Sequence, residues 1–216
     1  MSKAKTTKKA RAAQPATPVG SHTERRDEAE GRLLAAATEI IARHGVDGLT
    51  LGQVGTAAGY SRGLPAHYYG NKTGLLEAVA WHITDGFANR LAQTENFKPG
   101  LEMLLGSVAN YLAPTTSKGP MTLQTVIMES LTEPALRPAV SKVTERSVRR
   151  LAAMVRTAID NGEIRDDIDP EKQATLILGT MRSLTLLWLL NPKDMRMDAI
   201  RDAYVAGLKR MLRRKG

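Results

Sequence analysis

Residues 48–79 read GLTLGQVGTAAGYSRGLPAHYYGNKTGLLEAV, and the punctuation of this stretch decides the fold. Thr50 stands three residues before Gln53. That spacing is a capping box: the Thr hydroxyl takes the amide of Gln53, and the Gln side chain reaches back to the Thr amide. Val54, Ala57 and Ala58 then face inward, and Gly59 ends a short helix. Ser61 is placed to cap a second short helix running to about Tyr69. Pro65 would be its fourth residue, at the end where a missing N–H costs least. Asn71 is placed to cap a longer helix with Leu75, Leu76, Val79, Ile83 and Phe87 on its buried side. Two short helices joined by AGYS, the second presented outward, form a helix-turn-helix.

The pattern continues outward as helix. Leu33, Leu34, Ala37, Ile40, Ile41 and His44 form a helical stripe ahead of Gly45. Beyond the break at NFKPG, segments are expected from Leu101 to Leu112 before Pro114, from Met121 to Leu131, and from Pro134 to about Asn161. Asp169-Pro170-Glu171 then supplies a cap, a first-turn proline and an acid at the positive end of the helix dipole. This helix is expected to stop at Leu190, before Pro192. The last should run from about Met197 to Leu212, burying Ile200, Ala203, Tyr204, Gly207, Leu208 and Met211. No strand pattern occurs, so the fold class is all-α. The division expected is a disordered basic tail over 1–22, a helix-turn-helix domain over 23–72, and a second helical domain over 73–216.

Composition narrows the function. Of the 216 residues 42% are hydrophobic, enough for a core, but only 4% are aromatic, so that core is aliphatic. The absence of cysteine excludes disulfides, Cys-zinc sites and thiol nucleophiles. The four histidines show no metal-ligand spacing, and no nucleophile elbow, P-loop or HExxH sequence occurs. An enzyme is therefore not expected, and no cofactor is implied. The longest nearly apolar run, Leu184 to Leu190, falls short of the ~18–20 residues of a membrane span. No apolar signal segment follows the N-terminal lysines, and the expected location is the cytoplasm. Net charge is +9, and Lys3, Lys5, Lys8, Lys9 and Arg11 of the acid-free tail supply five of those charges. The tail reads as a solubilising segment, or as an arm touching DNA. Any polyanion footprint on the rest must be local.

A helix-turn-helix puts that footprint on its second helix, whose N-terminal end enters the major groove. Arg62, Leu64, His67 and Tyr68 are the side chains placed to reach the groove or its phosphate walls. Gly63 leaves room for the backbone to approach. Lys72, at the start of the next helix, has exposed amides beside it and meets phosphate only. Thr50 is mainly a cap with a possible phosphate contact, and Tyr69 is expected in the core.

The pieces LLAAATEIIARHGVDGLTLGQVGTAAGYSRG and HYYGNKTGLL, between about Asp27 and Val79, resemble the DNA-binding domain of the TetR family of bacterial transcriptional regulators. Ala66 stands where that family commonly carries a tyrosine. The resemblance implies a C-terminal domain that binds a small apolar effector and dimerises. Trp81, Met103, Met128, Met181 and Trp188 would line its pocket, although each at helical spacing also reads as ordinary core. For the dimer, the surplus apolar surface of the last two helices puts forward Leu176, Leu184, Leu187, Tyr204, Leu208 and Met211. The function expected is a dimeric regulator, a repressor released from a palindromic DNA operator by its effector. The alternative is an architectural DNA-binding protein without effector, which would not need the last ~115 residues.

Overall fold

Thr50 and Gln53 close the expected capping box: the Gln53 amide donates to the Thr50 hydroxyl at 3.2 Å, and the Thr50 amide to Gln53 Oε1 at 3.0 Å. The computed structural model in which this is seen describes residues 22–94, 97–113 and 118–214. The basic tail therefore lies outside the described residues, except for His22, and so does Pro114. The described elements are α1 His22–His44, α2 Leu51–Ala57, α3 Leu64–Tyr69, α4 Lys72–Thr94, α5 Leu101–Tyr111, α6 Lys118–Thr132, α7 Arg137–Asp160, α8 Pro170–Leu190 and α9 Met197–Leu212. No strand occurs among these residues. Asp169 caps α8 as expected, its Oδ1 accepting from the amides of Glu171 and Lys172 at 3.0 and 3.1 Å.

One helix starts later than its sequence suggests. Ser61 does not cap α3. Its carbonyl accepts the Leu64 amide at 3.1 Å in a turn, and Gly63 is the capping residue. Pro65 then becomes the second helical residue rather than the fourth, so its missing N–H forfeits no intrahelical bond. The turn itself depends on Gly59, at φ 80°, a left-handed conformation that side chains disfavour.

Two buried clusters organise the chain, and they do not divide at residue 72. The first joins Leu33, Ala37, Ile41, Val54, Leu75 and Val79 to Leu123 and Val126 of α6 and Leu136, Val140 and Val143 at the start of α7. The second holds α5, the rest of α7, α8 and α9 around Leu104, Val155, Ile177 and Leu208. Helix α8 has a mean hydropathy of 1.3, and by length and composition it could cross a membrane. Ala174, Ile177, Leu178 and Met181 bury one side of it in the second cluster. Ala57 of α2, expected inside, is exposed, and so are Ile200, Ala203 and Met211 of α9, because only Met197, Leu208 and Leu212 of that helix lie on its buried side.

Gly55 is the closest approach in the helix-turn-helix. A Cβ there would stand 2.4 Å from the Ser61 carbonyl oxygen and 3.2 Å from Arg62 Cα and from Pro65 Cδ. Backbone cannot swing aside as a flexible side chain does. Gly55→Ala should therefore lower stability by about 1–3 kcal/mol, although alanine is the better helix former. Urea unfolding of the two proteins measures this, and an unchanged midpoint would contradict it.

Candidate nucleic-acid interface and ligand cavity

Helices α2 and α3 present a small outer surface. Gln53 and Thr56 of α2, Arg62 and Gly63 of the turn, and Ala66 and His67 of α3 are exposed. Pro65 is buried, and Leu64, Tyr68 and Tyr69 are partly buried against the first core. Arg62 lies on the turn ahead of α3 instead of in its first helical turn. Its guanidinium runs back along α2, with Nε 3.2 Å from where a Gly52 Cβ would stand. Gly63 has open space around its Cα, so the backbone there is accessible. The expected residues Arg62, Gly63 and His67 are thus all exposed. Tyr68 leans toward α1 instead: its hydroxyl is 3.5 Å from the Arg26 carbonyl, and the Arg26 guanidinium is 5.9 Å from its ring centre. Leu64 serves mainly as packing. The Thr50 hydroxyl is engaged with Gln53. Lys72 opens α4 beside Asn71, whose Oδ1 accepts the Gly74 amide at 2.9 Å.

Sequence reasoning missed three residues on this side. Gln53 and Thr56 border the same shallow hollow as Arg62, and Arg26 borders a second one with His67 and Tyr68. The exposed stripe of α2 was the available signal for the first two. Nothing local marks Arg26, which is brought in by the packing of α1.

A cavity of about 460 Å³ lies between α4, α5, α7 and α8. Phe87, Met103, Leu151, Met154, Leu178 and Met181 give it apolar walls. Thr84, Asn89, Ser107, Asn110, Tyr111, Ser147 and Arg150 add polar atoms. Met103 and Met181 are where they were expected, but three other expected residues are elsewhere. Met128 is 54% exposed on the outside of α6. Trp81 packs on the first core under the guanidinium of Arg146, 5.0 Å from its ring. Trp188 packs on the second core. Helical spacing gave their period but not the neighbour each one faces. A broader hollow of about 820 Å³ between α5 and α9 has Glu102, Glu163 and Lys209 at its edges and draws on fewer helices.

Comparison with known proteins bears on both sites. Residues 33–79 match the family model described as bacterial regulatory proteins, tetR family, and residues 99–204 match that of the tetracyclin repressor-like C-terminal domain. The regulator BetI of Paraburkholderia xenovorans is 30% identical over 145 residues, covering 65% of this chain and 74% of that protein. The chain belongs to the TetR family. The regulator CymR of Pseudomonas putida is 27% identical over 188 residues, covering 85% of this chain and 90% of that one. A TetR-family regulator from Rhodococcus sp. shares the fold with a TM-score of 0.80 at 23% identity, over 86% of this chain and 99% of that one. These relatives are transcriptional regulators rather than enzymes, and so is this chain.

On this TetR-family chain α8 carries a second apolar face. Leu176, Gly179, Ser183, Leu187 and Leu190 follow a helical stripe and are all exposed, the three leucines at 64%, 54% and 69%. Met211 of α9 is exposed too. Leu184 and Tyr204 are partly buried against the second core, and Leu208 is 2% exposed within it. Leu208 is therefore a core residue of the protomer, because it sits on the inner side of α9 with Leu212.

The Tyr69 hydroxyl is buried with no hydrogen-bond partner, and burial pushes its pKa up. An unsatisfied buried hydroxyl is a cost to the fold. Tyr69→Phe should consequently leave thermal stability unchanged or raise it, by up to about 1 kcal/mol. A lowered melting temperature would show that the hydroxyl has a stabilising partner.

Proposed function

We propose that the chain is a cytoplasmic, homodimeric regulator that binds a palindromic DNA operator and releases it when a small apolar molecule enters the cavity. The observation that carries this reading is the path of α4. The helix starts at Lys72, beside the exposed face of α3, and further on it contributes Thr84, Phe87 and Ala88 to the cavity wall. A ligand that repositions these residues displaces the same rigid helix that supports the helix-turn-helix. Two recognition helices must meet half-sites about one helical turn apart, so a small change in their separation uncouples them. An architectural protein without effector would need neither the cavity nor the second core.

Dimerisation through α8 and α9 is supported by the exposed leucine stripe. Gly179 and Ser183 between the leucines let a second copy of the helix come close. A stable interface needs on the order of 1,200 Å² of buried surface. Leu187→Glu should convert the dimer to a folded monomer. Leu208→Glu, which puts a charge into the second core, should instead unfold the chain. Sedimentation with circular dichroism separates the two outcomes. A wild-type chain that is monomeric at micromolar concentration would remove the dimer.

DNA contact is proposed for Arg62, Gly63 and His67 on the exposed face, with Thr50, Leu64 and Tyr68 at its margins and Lys72 on the phosphates. Arg62→Ala should cost ~1–3 kcal/mol and relax preference at one operator position. Lys72→Ala should weaken operator and scrambled DNA alike and reduce the salt slope by roughly one. Titrations of both variants at several salt concentrations, with fragments of the protein's own promoter region, test this. Equal loss on both DNAs for Arg62→Ala would make it a positioning residue and pass sequence reading to His67.

A further inference from the structure

Just behind the cavity wall lies a charge without a counter-charge. Arg182 of α8 follows the lining residue Met181, and its guanidinium lies between α5 and α7. Its Nη1 and Nη2 both reach the same Thr144 hydroxyl at 3.2 Å, and its Nε is buried with no partner. Its other neighbour is the hydroxyl of Tyr111, a residue that lines the cavity. Among the described residues no carboxylate lies within ion-pair distance of it. Burial lowers the Arg182 pKa, and burial likewise raises that of Tyr111.

The rest of the cavity points the same way. No aspartate or glutamate lines it. The guanidinium that does line it, that of Arg150, is exposed and already has Asp85 at 3.8 Å, an acid that also holds Arg146 at 3.0 Å. A partly buried cation with only neutral partners carries an uncompensated desolvation cost. An anion arriving from outside would remove that cost. A cationic ligand would find repulsion and no acid.

Resting on the effector reading above, we propose that the ligand is an amphipathic carboxylate. Its apolar body lies among Phe87, Met103, Leu151 and Met154, and its head accepts a hydrogen bond from the Tyr111 hydroxyl with the Arg182 guanidinium behind it. An aryl- or alkyl-alkanoate has this chemistry, with one flat or flexible apolar part and one charge.

Two isosteric series test it on the full chain by calorimetry and thermal shift at neutral pH. One is 4-phenylbutanoate, 4-phenylbutanol and 4-phenylbutylamine; the other is octanoate, octanol and octylamine. In at least one series the acid should bind about tenfold or more tightly than the alcohol, the scale of a hydrogen bond to a charged group, and the amine most weakly. Arg182→Met should fold at least as well as the wild type and lose the preference for acid over alcohol while still binding the alcohol. Tyr111→Phe, which keeps the ring, should reduce the same preference, and Arg150→Met should leave it. If alcohol or amine binds as tightly as acid, the carboxylate assignment is wrong and an apolar effector site remains. If the wild type binds no member of either series, both readings fail. If Arg150→Met and not Arg182→Met abolishes the preference, the head group lies at the other end of the cavity and this assignment is overturned.

Discussion

The packing of α4 against α1 is the contact through which the two ends of the molecule meet. Leu75, Leu76, Val79 and Ala80 are almost wholly buried, and they share a core with Leu33, Leu34, Ala37 and Ile41. A helix of 23 residues is roughly 35 Å long. Its buried first half supports α2 and α3, and its later turns reach the cavity. A packed core of this kind repositions as a unit, since its side chains have few alternative arrangements. Two further ties run from α1 to α6. The Thr122 hydroxyl donates to the Thr38 carbonyl at 3.0 Å in a buried setting, and Lys118 pairs with Glu39 at 2.6 Å. The helix-turn-helix thus shares a packed core with α6 and the start of α7.

Charge is distributed in a way that matches these two ends. Exposed ion pairs such as Arg43 with Glu39 are worth little to stability and leave the surface mixed in sign. The informative arginines are those with no acid. Arg62 faces outward on the turn between α2 and α3, where a polyanion would meet it. Arg182 faces inward, where only a small molecule can. Their surroundings decide their chemistry: water screens the first, and desolvation strengthens every interaction of the second.

Most local signals are legible in the sequence, and signals that need a partner are not. The capping box at Thr50, the cap at Asp169 and the stops at Gly45 and Gly59 depend on residues within four positions of one another, so the chain declares them. The start of α3 was misplaced because Ser61 and Gly63 are both acceptable caps, and only the burial of Pro65 chooses between them. Trp81, Met128 and Trp188 were assigned to the cavity by composition, but a helix does not announce which neighbour its apolar face meets. Leu208 was assigned to both the core and the subunit interface, and the inner side of α9 settles it as core. Arg182 was invisible for the same reason: its meaning lies in Thr144 and Tyr111, thirty-eight and seventy-one positions away.

Helix α8 shows why a membrane-like composition can arise in a chain of this family. One side, with Ala174, Ile177 and Leu178, fills the second core. The next, at Leu178 and Met181, lines the cavity, with Arg182 just beyond. A third, through Leu176, Leu187 and Leu190, faces outward. Three apolar demands around one helix leave little perimeter for charge, so its mean hydropathy reaches that of a spanning segment. The exceptions follow from the same geometry. Thr180 and Thr185 give their hydroxyls to carbonyls of their own helix, those of Leu176 and Met181, both at 2.9 Å. Because the faces are cut from one rigid cylinder, a rotation of α8 that changes the cavity wall also turns the outward leucines. A ligand held at Tyr111 and Arg182 would therefore act on that outer face as directly as on the helix-turn-helix.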